Sequence, residues 1–463
     1  MILHQTMLGR SKLNIPERKL ILVAGDVIII ISLLYFFLRH VIDNNTLSVY
    51  ANILLFGIGF LAYFFLAYVL NFYYLGITSN YSGRTIIKGF LISLLFVLGE
   101  VLLSVIIFDI SFWRINLLLF LFGTPLLLFF WRKLFFYVFK FISTTKDVLY
   151  FYNKRGHNLE KDVSIINGHE INTFYNVIES IDLGEAAGLT EKELKELDTN
   201  IDSWIIDTDT SKPLPKNVEK TMLDAFVEGK EIVTFSSFYE NIYEALPIIS
   251  HNANESCSEI LQLQHTRIRY LYRVFSFTVN FLLGLFIGVI FATVTPFVFL
   301  LNLLLNRGPL FYVQQRIGQY GKEFNIYKFR SMVVDAEKSG AKMASKNDAR
   351  ITPFGKILRM FRVDELPQIL SVIRGDMLFI GPRPEREVFV DKLNTMLPYY
   401  NIRHLVKPGI TGWAQVKYKY GETLDDSIQK LEYDLYYIKS RSITLDLRII
   451  FKTFTTIIFS RGV

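Results

Sequence analysis

A chain of 463 residues that is 51% hydrophobic and 15% aromatic, with a mean hydropathy of +0.32, is too apolar for one ordinary soluble domain and long enough for two or three. It reads as a membrane protein with soluble parts, and its formal net charge of +7 suits anionic partners such as phospholipid head groups, phosphorylated lipids or nucleotides, although basic cytoplasmic loops produce the same excess. One cysteine, Cys257, excludes an intramolecular disulfide framework and a cysteine-based zinc site, and the seven histidines never fall at an HExxH-like spacing.

Four long apolar runs come first, Leu20 to Leu38, Ala51 to Leu70, Ile86 to Phe108 and Ile115 to Phe139, each close to the ~20 residues that a spanning helix needs. The first is too long for a signal-peptide core and is read as retained. Arg10, Lys12, Arg18 and Lys19 precede it, and Arg132, Lys133, Lys140 and Lys146 mark the end of the fourth, whereas the first and third connections hold only Arg39 and Arg114. Both ends of this block are therefore expected in the cytoplasm. Asp26 and Glu100 lie inside the first and third runs. An intramembrane acid is a functional candidate by default, but pairing with a neighbouring helix or a head group explains two isolated acids equally well, and a transport role has little polar sequence to support it.

From Lys146 to Ser250 extended apolar stretches (DVLYFY, SWIID, EIVTF) alternate with charged, helix-like segments. That pattern predicts a small α/β domain with a parallel sheet. Its first strand leads into YNKRGHN, where a dinucleotide fold needs a glycine-rich turn and only Gly156 is present. The domain is read as a degenerate Rossmann-like fold with a structural or regulatory role, without NAD.

Phe275 to Leu305 is almost wholly apolar and, as a helix, would be about 46 Å long, more than the ~30 Å of a hydrocarbon core. Arg267, Arg269 and Arg273 flank one end, Arg307 and Arg316 the other, and Thr295-Pro296 lies inside. Proline removes a backbone donor, so a helix broken there that dips in and returns is favoured over a kinked spanning helix. Gly284 and Gly288 form a GxxxG, a weak signal for close packing.

Beyond Arg307 the composition is soluble, with many short amphipathic helical patterns and a steady supply of arginine and lysine that fits a membrane surface. Within it, RVDELPQILSVIRGDMLFIGPRPE sets Asp364 and Glu365 just before Pro367. By local physics alone such a pair is a helix cap, with Gly375 as the stop. Context points elsewhere. GPLFYVQQRIGQYGKEFNIYKFRSMVVDAE, VDELPQILSVIRGDMLFIGPRPE, VKPGITGWAQV and SITLDLRIIFKT follow one another in this order. The series, from residue 267 to 463, resembles the bacterial sugar transferase family, the monotopic phosphoglycosyl transferases. The segments in front resemble its long-form members, which initiate exopolysaccharide, capsule or O-antigen synthesis.

The resemblance implies a four-helix transmembrane domain (1–145), a degenerate Rossmann-like α/β domain (146–250) and a mainly α-helical catalytic domain (251–463) anchored by a re-entrant helix broken at Thr295-Pro296. It implies a multi-pass protein of the bacterial inner membrane with its catalytic domain in the cytoplasm, and it leaves a homodimer open. The implied reaction moves a sugar 1-phosphate from a nucleotide sugar, expected to be a UDP-sugar, onto polyprenyl (undecaprenyl) phosphate with release of UMP, and involves no nucleic acid. Asp364 would be the nucleophile and Glu365 a ligand of Mg²⁺. Arg359 and Arg383, with Lys328 and Arg330, would bind substrate phosphates, and Trp413 would border the nucleotide. Ser276, where the family often has Asp, Lys407 in place of Arg, and Lys417-Tyr418-Lys419-Tyr420 after the last box depart from its pattern. The last of these bears on donor preference. The alternative is a catalytically inactive scaffold or sensor of polysaccharide assembly, which leaves the complete Asp-Glu, Arg and Gly-Pro-Arg-Pro set unexplained.

Overall fold

A computed structural model describes residues 15–42, 114–141, 146–153, 159–167, 175–207, 213–247, 270–336, 348–397, 399–418 and 424–458, with seven isolated helical positions between residues 57 and 94. The chain divides into two compact units, one made of residues 1–208 and 214–233, the other of 209–213 and 234–463.

In the first unit the helices Ile15–Ile42 and Arg114–Phe141 correspond to the first and fourth apolar runs. Trp131 donates its indole N–H to the Leu22 carbonyl at 3.3 Å. One turn further along, Arg132 Nη2 meets Asp26 Oδ2 at 2.7 Å with both side chains almost fully buried. Pairing with a neighbouring helix thus accounts for Asp26. Glu100 and nearly all of the second and third runs lie outside the described residues.

The α/β part of this unit has strands β1 (Lys146–Tyr152), β2 (Tyr175–Asp182), β3 (Ser203–Ile206) and β4 (Glu231–Thr234) in the order β2-β1-β3-β4. The central strand β1 runs parallel to β2 and β3. Val148 to Phe151 are wholly buried, the signature of a strand covered on both faces, and Phe151 packs on the buried Trp204. The expected small parallel sheet is therefore present. Gly156 lies outside the described residues.

The second unit is built on the helix Tyr270–Leu305. Among the described residues it is the helix long and apolar enough to cross a membrane by length and composition. Pro296 sits inside this helix instead of ending it, and the Thr295 hydroxyl donates to the Phe291 carbonyl at 2.6 Å. Proline deprives the helix of a single backbone bond, which leaves the surrounding turns intact.

One face of the helix is fastened along its whole length. Tyr272 Oη donates to Asp446 Oδ2 at 2.8 Å near its start. Asn280 Oδ1 accepts from the Phe379 N–H at 2.8 Å, and Leu283, Ile287 and Phe291 join the main core. Val298 packs with Phe329, Phe354 and Leu358, and at the far end Asn302 and Asn306 donate to the carbonyls of Gly308 and Arg330, both at 3.0 Å. Gly284 faces Phe379, and among the described residues nothing lies within 4 Å of a Cβ built on Gly288. The opposite face, with Phe277, Phe281, Leu285, Phe286, Phe297 and Leu304, is exposed.

Around this helix fold an antiparallel hairpin of β5 (Phe311–Ile317) and β6 (Glu323–Phe329), the helix Pro353–Met360, a 3-10 turn Val363–Gln368, and a parallel pair of β7 (Leu378–Ile380) and β8 (Gly409–Thr411). The helices Leu424–Lys439 and Ile443–Ile458 close the core. Residues 235–247 belong to this unit as well: Leu246 is a core residue, and its N–H donates to the Glu432 carbonyl at 3.1 Å.

The Asp26–Arg132 pair yields a stability prediction. Replacing Asp26 by Ala strands a buried guanidinium and should cost about 3 kcal/mol, whereas Asp26→Leu together with Arg132→Leu removes both charges and should recover much of that loss. Thermal unfolding of the detergent-solubilised single and double variants measures it; a double variant no better than the single one would contradict the pairing.

Candidate active site

Asp364 and Glu365 do not cap a helix. The helix Pro353–Met360 begins with Thr352 as its N-cap, whose hydroxyl accepts from the Gly355 N–H at 3.0 Å, and Pro353 takes the first turn. It carries Arg359 in its last turn and ends at Phe361. Arg362 then adopts the left-handed conformation, φ 56°, a position that strains a non-glycine residue. That reversal feeds a 3-10 turn in which Asp364 and Glu365 precede Pro367. The following helix, Ile369–Ile373, has Gln368 as N-cap with no side-chain bond, and Gly375 at φ 80° stops it as the sequence predicts. The two carboxylates are therefore free of capping duty.

Their surroundings differ sharply. Glu365 Oε1 accepts from Arg383 Nη2 at 2.7 Å and lies 3.8 Å from both Lys328 Nζ and Arg362 Nη1. Burial alone would push this carboxyl up, but Arg383, Lys328 and Arg362 outweigh it and hold Glu365 well below the usual carboxylate range. Asp364 is buried, and among the described residues its Oδ1 has no hydrogen-bond partner. Burial, reinforced by the charge of Glu365, raises Asp364 above an ordinary aspartate, against the attraction of Lys328, Arg359 and Arg362. Lys328, on β6 opposite Tyr312 of β5, is itself pushed down to about 8 by burial, with Glu365 opposing.

Of the residues expected to bind substrate, the structure brings Lys328 and Arg383 onto Glu365, while Arg359 donates its Nε to Ser331 Oγ at 2.9 Å and acts on Asp364 only through its charge. The other two expected residues, Arg330 and Trp413, have partners within the fold. Arg330 is buried, and its guanidinium donates to the carbonyls of Pro309 and Asn306 and fastens the hairpin to the end of the long helix. Trp413 is wholly buried among the described residues: its indole N–H donates to the Glu244 carbonyl at 2.9 Å, with Lys417, Arg448 and Lys452 against its ring. An aromatic in a basic box looks alike from sequence whether it stacks on a base or on its own lysines.

Arg362 is the residue that sequence reading passed over, since only its backbone reversal turns it back toward Glu365. Among the described residues no group of three or more His, Cys, Asp or Glu side chains converges on a metal position. The two adjacent carboxylates, one with an unpartnered buried oxygen, do suit a hard divalent ion that takes one or two carboxylates and fills its shell with phosphates and water.

The Arg383 loop is held by close backbone contact. A Cβ on Gly409 would lie 2.1 Å from the Gly381 nitrogen, so only glycine permits β8 to approach here. Gly409→Ala should therefore separate β7 from β8 and cost about 1–3 kcal/mol or more. A melting temperature equal to the parent's would show that the backbone yields freely.

Residues 271–460 match the family described as bacterial sugar transferase. The chain is 48% identical over 155 residues, 34% of its length and 37% of the relative's, to the UDP-N-acetylgalactosamine-undecaprenyl-phosphate N-acetylgalactosaminephosphotransferase of Aeromonas hydrophila. It is 47% identical over 149 residues to the UDP-glucose:undecaprenyl-phosphate glucose-1-phosphate transferase of Xanthomonas campestris pv. campestris, covering 32% of this chain and 31% of that one. An uncharacterized sugar transferase of Bacillus subtilis (strain 168), EpsL, is 37% identical over 155 residues, covering 34% of this chain and 73% of the relative. The matched segment thus spans only about a third of the first two relatives.

Proposed function

The chain belongs to the bacterial sugar transferases, and we propose that it transfers a sugar 1-phosphate from a UDP-sugar to undecaprenyl phosphate, releasing UMP, as the first step of an exopolysaccharide, capsule or O-antigen. The observation that carries this reading is the division of labour between neighbours: a buried, raised Asp364 with an unpartnered oxygen beside a Glu365 clasped by Arg383. A scaffold has no use for a strained turn that buries a carboxylate oxygen without a partner.

In this mechanism an Asp364 oxygen attacks the phosphorus that bears the sugar. The bond from that phosphorus to the bridging oxygen of UMP breaks, UMP leaves with the electron pair, and an acyl phosphate holds the phosphosugar on Asp364. A phosphate oxygen of undecaprenyl phosphate then attacks the same phosphorus, the bond to Asp364 breaks, and the carboxylate is regenerated. An anion attacking an anion needs positive charge around the phosphates, which Arg359, Lys328 and Arg383 supply. Mg²⁺, held by Glu365 with the donor's phosphates and water, would add charge neutralisation at the diphosphate.

The same reading sets residues 251–463 as the catalytic part behind the 146–250 domain and the N-terminal spans, with the catalytic part on the cytoplasmic side of the inner membrane. The helix Tyr270–Leu305 would enter the bilayer and return. Its 36 residues make about 54 Å of helix. Ties to Asp446 near one end and to Gly308 and Arg330 at the other favour both ends on one side of the membrane over a straight span, while a return within the bilayer would need a break at Thr295-Pro296 beyond the continuous helix described above.

Mixing the protein with UDP-sugar and Mg²⁺ but no lipid should give an intact mass increased by one phosphosugar. Asp364→Asn should abolish both the adduct and UMP release, and Glu365→Gln should cut turnover by about a hundredfold or more, as does loss of a key electrostatic group elsewhere. An active Asp364→Asn enzyme would overturn the mechanism.

The attacking Asp364 must be ionised, so activity should fall as pH drops through a range above that of an ordinary carboxylate. Charged Lys328 should be lost as pH rises past about 8, and Lys328→Arg should move that alkaline limb upward. A profile flat from pH 5 to 9 would contradict both assignments.

A further inference from the structure

The sequence Gly381-Pro382-Arg383-Pro384-Glu385 cannot organise itself, because two of its five residues have no N–H. Four successive carbonyls are held from outside. The Pro382 carbonyl accepts from the Gly409 N–H at 2.9 Å and the Glu385 carbonyl from the Ile317 N–H at 2.9 Å. The middle two accept from side chains remote in sequence: Arg383 O from Arg403 Nη2 at 2.9 Å, and Pro384 O from Arg316 Nη1 at 3.2 Å.

Arg403 commits its donors within the protein. Nε and Nη2 reach Asp434 Oδ2 at 3.1 and 2.7 Å, Nη1 donates to Tyr400 Oη at 2.5 Å, and Nη2 also reaches the Arg383 carbonyl. Both Arg403 and Asp434 are almost wholly buried. A buried ion pair is a poor route to stability compared with apolar side chains of the same volume, so its value lies in fixing one geometry. Only a planar fork can hold a carboxylate, a phenol and a main-chain carbonyl together.

Resting on the function proposed above, we propose that Arg403, anchored by Asp434, is a positioning residue: it grips the main chain of Arg383 and so aims that guanidinium at Glu365. Arg316 is the second tie on the same loop. Neither contacts the carboxylates, and neither is marked by the spacing of the motif.

The test uses the full-length protein in detergent with Arg403→Lys, which keeps the charge but lacks the fork, and Asp434→Asn as a second variant should the first not fold. Hydrogen exchange of a peptide covering residues 378–389 needs no turnover and should rise in the variant, with the remaining peptides unchanged; equal exchange in variant and parent overturns the proposal. With UDP-sugar, undecaprenyl phosphate and Mg²⁺, Arg403→Lys should lower kcat about tenfold or more. In an Arg383→Lys background the same change should add less than about twofold, because the guanidinium it aims is gone. Full multiplication of the two losses would make Arg403 merely structural and overturn the proposal. A parent that releases no UMP from any donor sinks the proposed function, and the exchange measurement then decides the positioning role by itself.

Discussion

Two neighbouring carboxylates in a mostly buried turn repel each other, and the rest of the site follows from how positive charge is divided between them. Arg383, Lys328 and Arg362 all converge on one oxygen of Glu365, while Asp364 keeps an oxygen with no partner among the described residues. An unequal division is what separates an anion held permanently from one raised toward neutrality. A symmetric sharing of the same cations would leave two ordinary carboxylates. The inequality requires Arg362 to turn back in the left-handed conformation and the Arg383 loop to stand opposite.

That loop explains much of the surrounding architecture. Its carbonyls are served by β8, by Arg403, itself anchored on Asp434, and by the hairpin through Arg316 and Ile317. The glycines that allow β7 and β8 to touch bring the loop to within reach of these donors. Elements that are far apart in sequence therefore serve a single guanidinium.

The long helix plays the complementary part. Its inner face is fixed from Tyr272 to Asn306 by polar ties at both ends and apolar packing between, while its outer face remains apolar and exposed. An exposed apolar surface is thereby joined to the unit that carries Asp364, an arrangement that suits the proposed transfer between a soluble donor and a lipid acceptor. The buried Asp26–Arg132 pair in the first unit shows another use of charge in an apolar setting, as a registration device between two helices.

Amino-acid order by itself determined the elements with strong periodicity: the first and fourth apolar helices, the small parallel sheet with its buried central strand, the long apolar helix, and the Asp364-Glu365 pair with Lys328, Arg359 and Arg383 near it. Length of apolar run, alternation and motif spacing are local quantities, and they survive without coordinates. Local pattern is silent where one residue type serves two ends: Trp413 and Arg330 look like ligands in sequence and are buried on main-chain acceptors in the fold, because burial decides a side chain's partners. Only the tertiary structure could release Asp364 and Glu365 from capping, through the reversal at Arg362, and only it could join Arg403 to the carbonyl of Arg383, a contact between residues 20 apart in sequence. Such contacts depend on where a turn points once the core has formed, and no spacing along the chain encodes that direction.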